Sequence, residues 1–347
     1  MEETTMRRFL SVIALALAFS ASAVFANDPP KKYKVTMPVL GDGFHYYPLY
    51  IAQAAGFFAE EGIDIDWVKV NGGNVAAAAV MGGSAEVAPI ALAHVIDSQQ
   101  QGGALVAIAS VYQVFAMPLV LSNGAIKKSG IEAGMPIDEK VKRLAGLRLG
   151  ITSPGGSSDA LLRSLFLARG MDPDKTVSIQ PFGNGASQVA ALEKNLTDGF
   201  VYPSPAPDIV VAKGLGSIMI NPFAGEVPEI RDLPYIVMAT TKDIWAKKPD
   251  AIRGVMRALA KASAFAQAKP AETKRLVRSY FKDIDDTLYD KVAEMNLVGI
   301  PADLRITKEQ VEREIDWLNL SRTDKIKLNY GNVVLNEPVE QAKAARQ

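Results

Sequence analysis

"NGGNVAAAAVMGGSAEVAPIALAHVIDSQQQGGALVAIAS" (Asn71–Ser110) and, farther along, "GNGASQVAALEKNLTDGFVYPSPAPDIVVAKGLGSIMI" (Gly183–Ile220) follow one plan. Each reads as a glycine-rich turn, a helix, an acidic residue, a short strand, a second helix, a glycine and a closing strand. The offsets agree as well. Gly73 to Glu86 and Gly185 to Asp198 both span 13 positions, and Glu86 to Gly102 and Asp198 to Gly214 both span 16. Two matching offsets in series, with matching element types, predict two copies of one supersecondary unit.

The flanking residues extend the pattern. Pro48 suits the first turn of a helix, where its missing N–H would be unpaired anyway. Gly62 and Gly170 stand where a helix ends on a left-handed residue. "LRLGI" and "LVAIAS" are short apolar runs of the kind found in parallel strands covered on both faces. Strands alternating with helices predict an α/β chain of two similar lobes, each a mostly parallel sheet flanked by helices. The extended stretches "VYQVFAMPLVLS" and "DLPYIVMATTKDIW" predict two hinge crossings. The expected organisation is a signal peptide at 1–26, the first part of lobe I at 32–117 and lobe II at 118–232. The return crossing and C-terminal helices covering lobe I follow at 233–347. In those helices Ile252, Val255, Met256, Leu259 and Ala262 recur at helical spacing, and Thr307 with Gln310 forms a capping box.

Arg7 and Arg8, the apolar run "FLSVIALALAF" (Phe9–Phe19) and the small residues Val24 and Ala26 read as a signal peptide cleaved after Ala26. Met6 offers a cleaner start than Met1. The chain has no cysteine, which excludes disulfides, thiolate metal sites, cysteine nucleophiles and a lipid anchor. An exported chain without an anchor points to a periplasm. Formal net charge is zero, so the basic excess of a nucleic-acid binder is missing. No cluster of His and carboxylates stands at metal-ligand spacing, and no cofactor is implied.

In open α/β sheets, ligands bind outside the carboxyl ends of the strands. Two facing lobes would place there the loops "GDGFHYY", "NGGN" and "APIALAH" from one side and "TSPGGSSD", "FGNGAS" and "YPSP" from the other. Most are rich in glycine and hydroxyl or amide side chains, and each feeds a helix whose first N–H groups are free. The candidates are Gly73, Asn74, Ser157, Ser158, Asn184 and Ser187 as donors, and His45, Tyr46, Tyr47, Tyr112 and Tyr202 as ring contacts. A serine at a helix start is by default a plain cap, and a ring at a turn is by default a plug, which is how Phe44 reads. Phe223 and Tyr235 read as core, and His94 as a structural residue. Catalysis by a Ser-His-Asp set has only His45 and His94 to draw on, and "GGSSD" lacks the G-x-S-x-G elbow.

"YYPLYIAQAAGFFAEEGIDIDWVKV" and "LRLGITSPGGSSDALLRSLFLARGMDPDKTVSIQPFGNGASQVAALEKNLTDGF" resemble the sulfonate, taurine and nitrate-binding proteins of ABC importers, a family that also holds thiamine pyrimidine-precursor binders. The likeness spans roughly Lys34 to Trp245. It implies a type II periplasmic binding fold and a monomer that delivers its solute to a membrane permease and ATPase, with no enzymatic step. It places ligand contacts at His45, Tyr46, Gly73, Asn74, Ser157, Ser158 and Asn184. The expected solute is a small organic anion, sulfonate or carboxylate, with an aromatic one open. One departure stands out: no basic side chain occurs in these loops, since Arg163 sits a turn into its helix and Arg148 inside a strand. A synthase on the same fold is the enzymatic alternative, against which the missing cysteines speak. A sensor-coupled binding protein is the other.

Overall fold

Strands β1 (Tyr33–Val39) and β2 (Ile63–Lys69) pair in parallel, Tyr33 opposite Ile63, in the computed structural model, which describes residues 32–41 and 43–344. The expected signal peptide lies outside the described residues. Beside this pair stands a three-stranded sheet of β3 (Ala88–Ala91), β4 (Leu105–Tyr112) and the late strand β10 (Ile236–Thr241), in the order β3-β10-β4. Together these form lobe I. Lobe II is a five-stranded sheet of β5 (Leu119–Ser122), β6 (Arg148–Ile151), β7 (Ser178–Pro181), β8 (Gly199–Val201) and β9 (Gly216–Ile220), in the order β7-β6-β8-β5-β9.

The helices used below are α1 (Tyr47–Ala54), α2 (Gly73–Met81), α3 (Leu92–Gln100), α4 (Ser157–Leu167), α5 (Gly185–Glu193), α6 (Ala206–Ala212), α7 (Pro249–Ala268), α8 (Asp286–Asn296) and α9 (Lys308–Leu320). The repeat is real in space: β2-α2-β3-α3-β4 in lobe I matches β7-α5-β8-α6-β9 in lobe II. The glycines between its helices and strands carry a left-handed backbone, φ 70° at Gly62 and 69° at Gly170, 76° at Gly102 and 66° at Gly214.

The sheets are mixed rather than mostly parallel. β6 runs parallel to β7 and β8, but β5 is antiparallel to β8 and β9, and β10 is antiparallel to β3 and β4. The reason lies in the crossings. A chain arriving from the other lobe enters its new sheet at the cleft end, so it runs against strands whose carboxyl ends face that cleft. "LVAIAS" is buried on both faces as read, yet its neighbour β10 is antiparallel.

Helix α7 packs on lobe I as its periodicity requires, with Ile252, Val255, Met256, Leu259 and Ala262 fully buried. At Gly254 a Cβ would sit 2.7 Å from Cδ1 of Ile63, so the glycine sets how closely the helix approaches β2. Arg257 and Lys261 donate to the Glu61 carboxylate at 2.5 and 2.7 Å. The Thr307–Gln310 capping box is formed at the start of α9.

Candidate functional site

The first turns of three helices border one small cavity of about 40 Å³. Gly73 opens α2, Ala91 is the residue before α3, and Ser157 opens α4; all three line it. None of these helices has a side-chain N-cap. The first N–H groups of a helix have no partner inside it, and they carry its partial positive charge. Three such ends around one space make it a site for oxygen atoms bearing negative charge.

The walls add donors without adding formal charge. Ser157 is 5% exposed, lines the cavity and makes no hydrogen bond through its hydroxyl among the described residues. Thr152 and Ser153 border the same space from the carboxyl end of β6. From lobe I come His45, Tyr46 and His94, and from the crossings Met117 and Tyr235. The His94 ring lies against the start of α2, where a Cβ on residue 73 would stand 2.1 Å from Nε2. Only glycine fits there. Burial pushes His94 down to about 4 and His45 to about 3, so both imidazoles are neutral at pH 7. Nδ1 of His45 is buried without a hydrogen-bond partner. The Tyr46 ring leans on that of His45 at 4.0 Å between centroids, and its hydroxyl accepts from Leu40 N at 3.4 Å. Burial raises the Tyr46 hydroxyl well above its usual range, so it stays protonated.

Among the described residues, no Lys, Arg, Asp or Glu borders the cavity. The two arginines noted in the sequence are engaged elsewhere. Arg148 donates to both oxygens of Asp198, at 3.2 and 2.8 Å. Arg163 donates to Asp159 at 2.8 Å and to Asp174 at 3.0 Å. Asp159 in turn accepts from Gly155 N at 2.8 Å, which fixes the turn ahead of α4.

Of the residues expected from sequence, His45, Tyr46, Gly73, Ser157 and Tyr202 meet at the cavity. The others do not. Tyr47 is fully buried behind the first loop, edge-on to Phe44 at 5.1 Å and to Phe281 at 6.2 Å. Tyr112 is fully buried too, and its hydroxyl donates to α8 at Asn296, 2.9 Å from both the backbone oxygen and Oδ1. Asn74 points outward and is exposed. Ser158 Oγ is 2.9 Å from both N and Oγ1 of Thr152, so it braces the loop from behind. Asn184 is a plain N-cap whose Oδ1 accepts from the backbone N–H of Ser187 at 3.0 Å, and Ser187 itself is exposed. Phe44 is the plug it reads as, stacked on Phe281 at 3.9 Å. Tyr235, read from sequence as core, is in the core and also lines the cavity, as does His94, read as structural. Thr152 and Ser153 belong to a loop singled out in the sequence, and their position directly after an apolar strand was the available signal.

The sequence model of the NMT1-like family matches residues 28–279. The chain belongs to the NMT1-like family. This NMT1-like chain is 24% identical over 303 residues to the nitrate/nitrite binding protein NrtA of Nostoc sp. (strain PCC 7120), and the match covers 81% of the chain and 64% of that relative. A solved protein of Bordetella bronchiseptica RB50 superposes with a TM-score of 0.79 at 24% identity, over 92% of this chain and 99% of that one. The periplasmic nitrate-binding protein NrtA of Synechocystis PCC 6803 gives 0.68 at 18% identity, over 92% and 90%. The periplasmic aliphatic sulphonate binding protein SsuA of Escherichia coli gives 0.62 at 14%, over 84% and 87%. These likenesses establish the two-lobed type II periplasmic binding fold.

Proposed function

We propose that this chain is the solute-binding component of an ABC importer. It captures a small organic anion, a carboxylate or sulfonate, between its lobes and delivers it to a membrane permease driven by an ATPase. The observation that carries the reading is the convergence of three uncapped helix starts and the Ser157 hydroxyl on one cavity, which no charged side chain among the described residues borders. An anionic head placed there would accept backbone N–H groups of α2, α3 and α4 together with hydroxyl and neutral imidazole donors. A rigid array of dipoles suits a transported solute, because the ligand is held without a fixed countercharge that would have to be parted from it on release. The lobes already touch beside the cavity, where Phe44 N donates to Ser204 O at 3.3 Å.

Binding rather than catalysis fits the same wall. Among the described residues, no carboxylate borders the cavity to orient either histidine as a base beside Ser157. The family relatives named above are binding proteins by their names. The N-terminal export signal read from the sequence would place the mature chain, from Asn27, in the periplasm.

The test is thermal unfolding of the chain from Asn27 against alkanesulfonates, carboxylates, nitrate and pyrimidines. A ligand at a hundredfold over its dissociation constant adds about 2.7 kcal/mol of stability, which raises the midpoint measurably. Stabilisation by an anion that disappears in Ser157→Ala supports the reading. Stabilisation by none of the four classes overturns it.

A further inference from the structure

The sequence holds three Asn-Gly pairs, Asn71–Gly72, Asn123–Gly124 and Asn184–Gly185. Glycine has no Cβ to keep its backbone nitrogen away from the side-chain amide of the residue before it. An asparagine in that position can therefore be attacked by its own main chain, provided that side chain and glycine are both free to move.

The fold treats the three pairs unequally. Asn123 is the first residue of the helix Asn123–Ser129. Its Nδ2 donates to Gly214 O at 2.7 Å and its backbone N–H to Leu215 O at 2.9 Å. Asn184 caps α5, and its Oδ1 accepts from Ser187 N at 3.0 Å. Both amides are held, and both following glycines lie in the first turn of a helix. Asn71 is exposed, and among the described residues neither its side chain nor the Gly72 N–H makes a hydrogen bond. Gly72 precedes α2, with φ 117° and open space where a side chain would stand.

The place of Asn71 gives its chemistry a consequence. It lies two residues ahead of Gly73, where α2 opens on the cavity, and it borders a groove that meets the cavity at Leu40 and Tyr202.

We propose that Asn71 is a site of spontaneous deamidation whose products weaken anion capture at the start of α2. The effect on capture rests on the reading of the cavity as the anion site. The Gly72 nitrogen attacks Cγ of Asn71 and forms an N–Cγ bond. The Gly72 amide proton passes to water, the Cγ–Nδ2 bond breaks and Nδ2 leaves as ammonia. Water then opens the cyclic imide at either carbonyl and leaves aspartate or isoaspartate. One water enters, one ammonia departs and no electron is transferred. Aspartate sets a negative charge beside the N–H groups that would hold the anion. Isoaspartate adds the same charge and routes the main chain through the side-chain methylene, which lengthens the turn that aims α2 at the cavity.

The experiment ages the chain from Asn27 in mildly alkaline buffer, folded and, in parallel, unfolded in urea, and reads the mass gain of each Asn-Gly peptide. A hydrogen bond that must open before the reaction slows it about fivefold. In the folded chain, position 71 should convert at least about fivefold faster than positions 123 and 184, and in urea the three rates should converge. Folded conversion at 123 or 184 that equals that at 71 overturns the assignment. So does a position 71 that reacts in urea and stays intact when folded. Asn71→Gln should remove the fast conversion and keep the two slow ones. Capture is read by calorimetric titration with a binding anion. The aged chain and Asn71→Asp should each bind about fivefold more weakly than the fresh chain at low salt, and the deficit of Asn71→Asp should shrink as salt is added. Equal affinity in all three overturns the effect on capture, while the mass map upholds the site. A fresh chain that binds no anion brings down the reading of the cavity and the effect on capture with it, and the mass map then decides the site alone.

Discussion

The two lobes repeat their framework and diverge at the site. Glu86 in lobe I and Asp198 in lobe II hold the same place in the repeat, and they do the same work. A side-chain oxygen of each accepts the backbone N–H of the lobe's first parallel strand, Thr36 N at 2.7 Å and Arg148 N at 2.8 Å. The backbone N–H of each donates to that same residue's carbonyl, at 3.2 and 2.9 Å. The acid locks β1 to the turn before β3 in one lobe, and β6 to the turn before β8 in the other. Gly73 and Gly185 are also equivalents, yet one opens a bare helix start on the small cavity and the other lies behind a side-chain cap. The acid that braces the strands is kept in both copies, while the bare helix start on the cavity occurs in one.

Gly73→Ala breaks the asymmetry most directly. The new Cβ collides with the buried His94 ring and drives it into a cavity of about 40 Å³. Anion affinity should fall at least about a hundredfold, or about 2.8 kcal/mol, read by titration calorimetry.

Asp198→Ala and Glu86→Ala test the symmetric part. Each removes a charged acceptor from a strand N–H, and each should lower unfolding free energy by about 2 kcal/mol in denaturant melts. The partners differ, which sharpens the comparison. Asp198 also holds Arg148 at 2.8 Å within its own lobe, whereas Glu86 holds Lys248 at 2.7 Å, at the foot of α7. Lys248→Ala, half-exposed, should cost well under 1 kcal/mol.

The histidines of the cavity set the acid side of the stability curve. Both are held neutral by burial, His45 at about 3 and His94 at about 4, against 6.5 when unfolded. The unfolded chain therefore takes up protons first as pH falls. Their stabilising contribution is complete above 6.5 and is lost toward pH 4, with a slope of up to about 1.4 kcal/mol per pH unit for each. Glu314, buried in α9, acts in the opposite sense. Burial raises it to about 8, so its contribution is complete below 4.5 and is lost as pH rises through 8. Glu314→Gln should gain stability over the wild type between pH 6 and 9, measured as unfolding midpoints at each pH.

The framework was legible because it is written in short-range spacing. Glycines with positive φ and an acid at fixed offset can be read along the chain. What escaped depends on distant partners or on a single rotation. Tyr112 looks like a cleft ring until Asn296, 184 residues away, takes its hydroxyl. Tyr47 looks paired with Tyr46 until Phe281 packs against it. Ser157 and Ser158 are neighbours on a helix, where one residue turns the side chain by about 100°, so one faces the cavity and the other the Thr152 backbone. The antiparallel crossings follow from chain direction across the whole molecule, which no local window contains.

The central claim is that the ligand lies at the small cavity and not at the capped helix start that repeats it. Calorimetric titration of one binding anion against Ser157→Ala and Asn184→Ala separates the two. The first should weaken binding by about fivefold, near 1 kcal/mol, with little change in stability. The second should lower stability by about 1 kcal/mol through the lost cap and leave the affinity of a short anion unchanged. Affinity lost in Asn184→Ala and retained in Ser157→Ala would contradict the account.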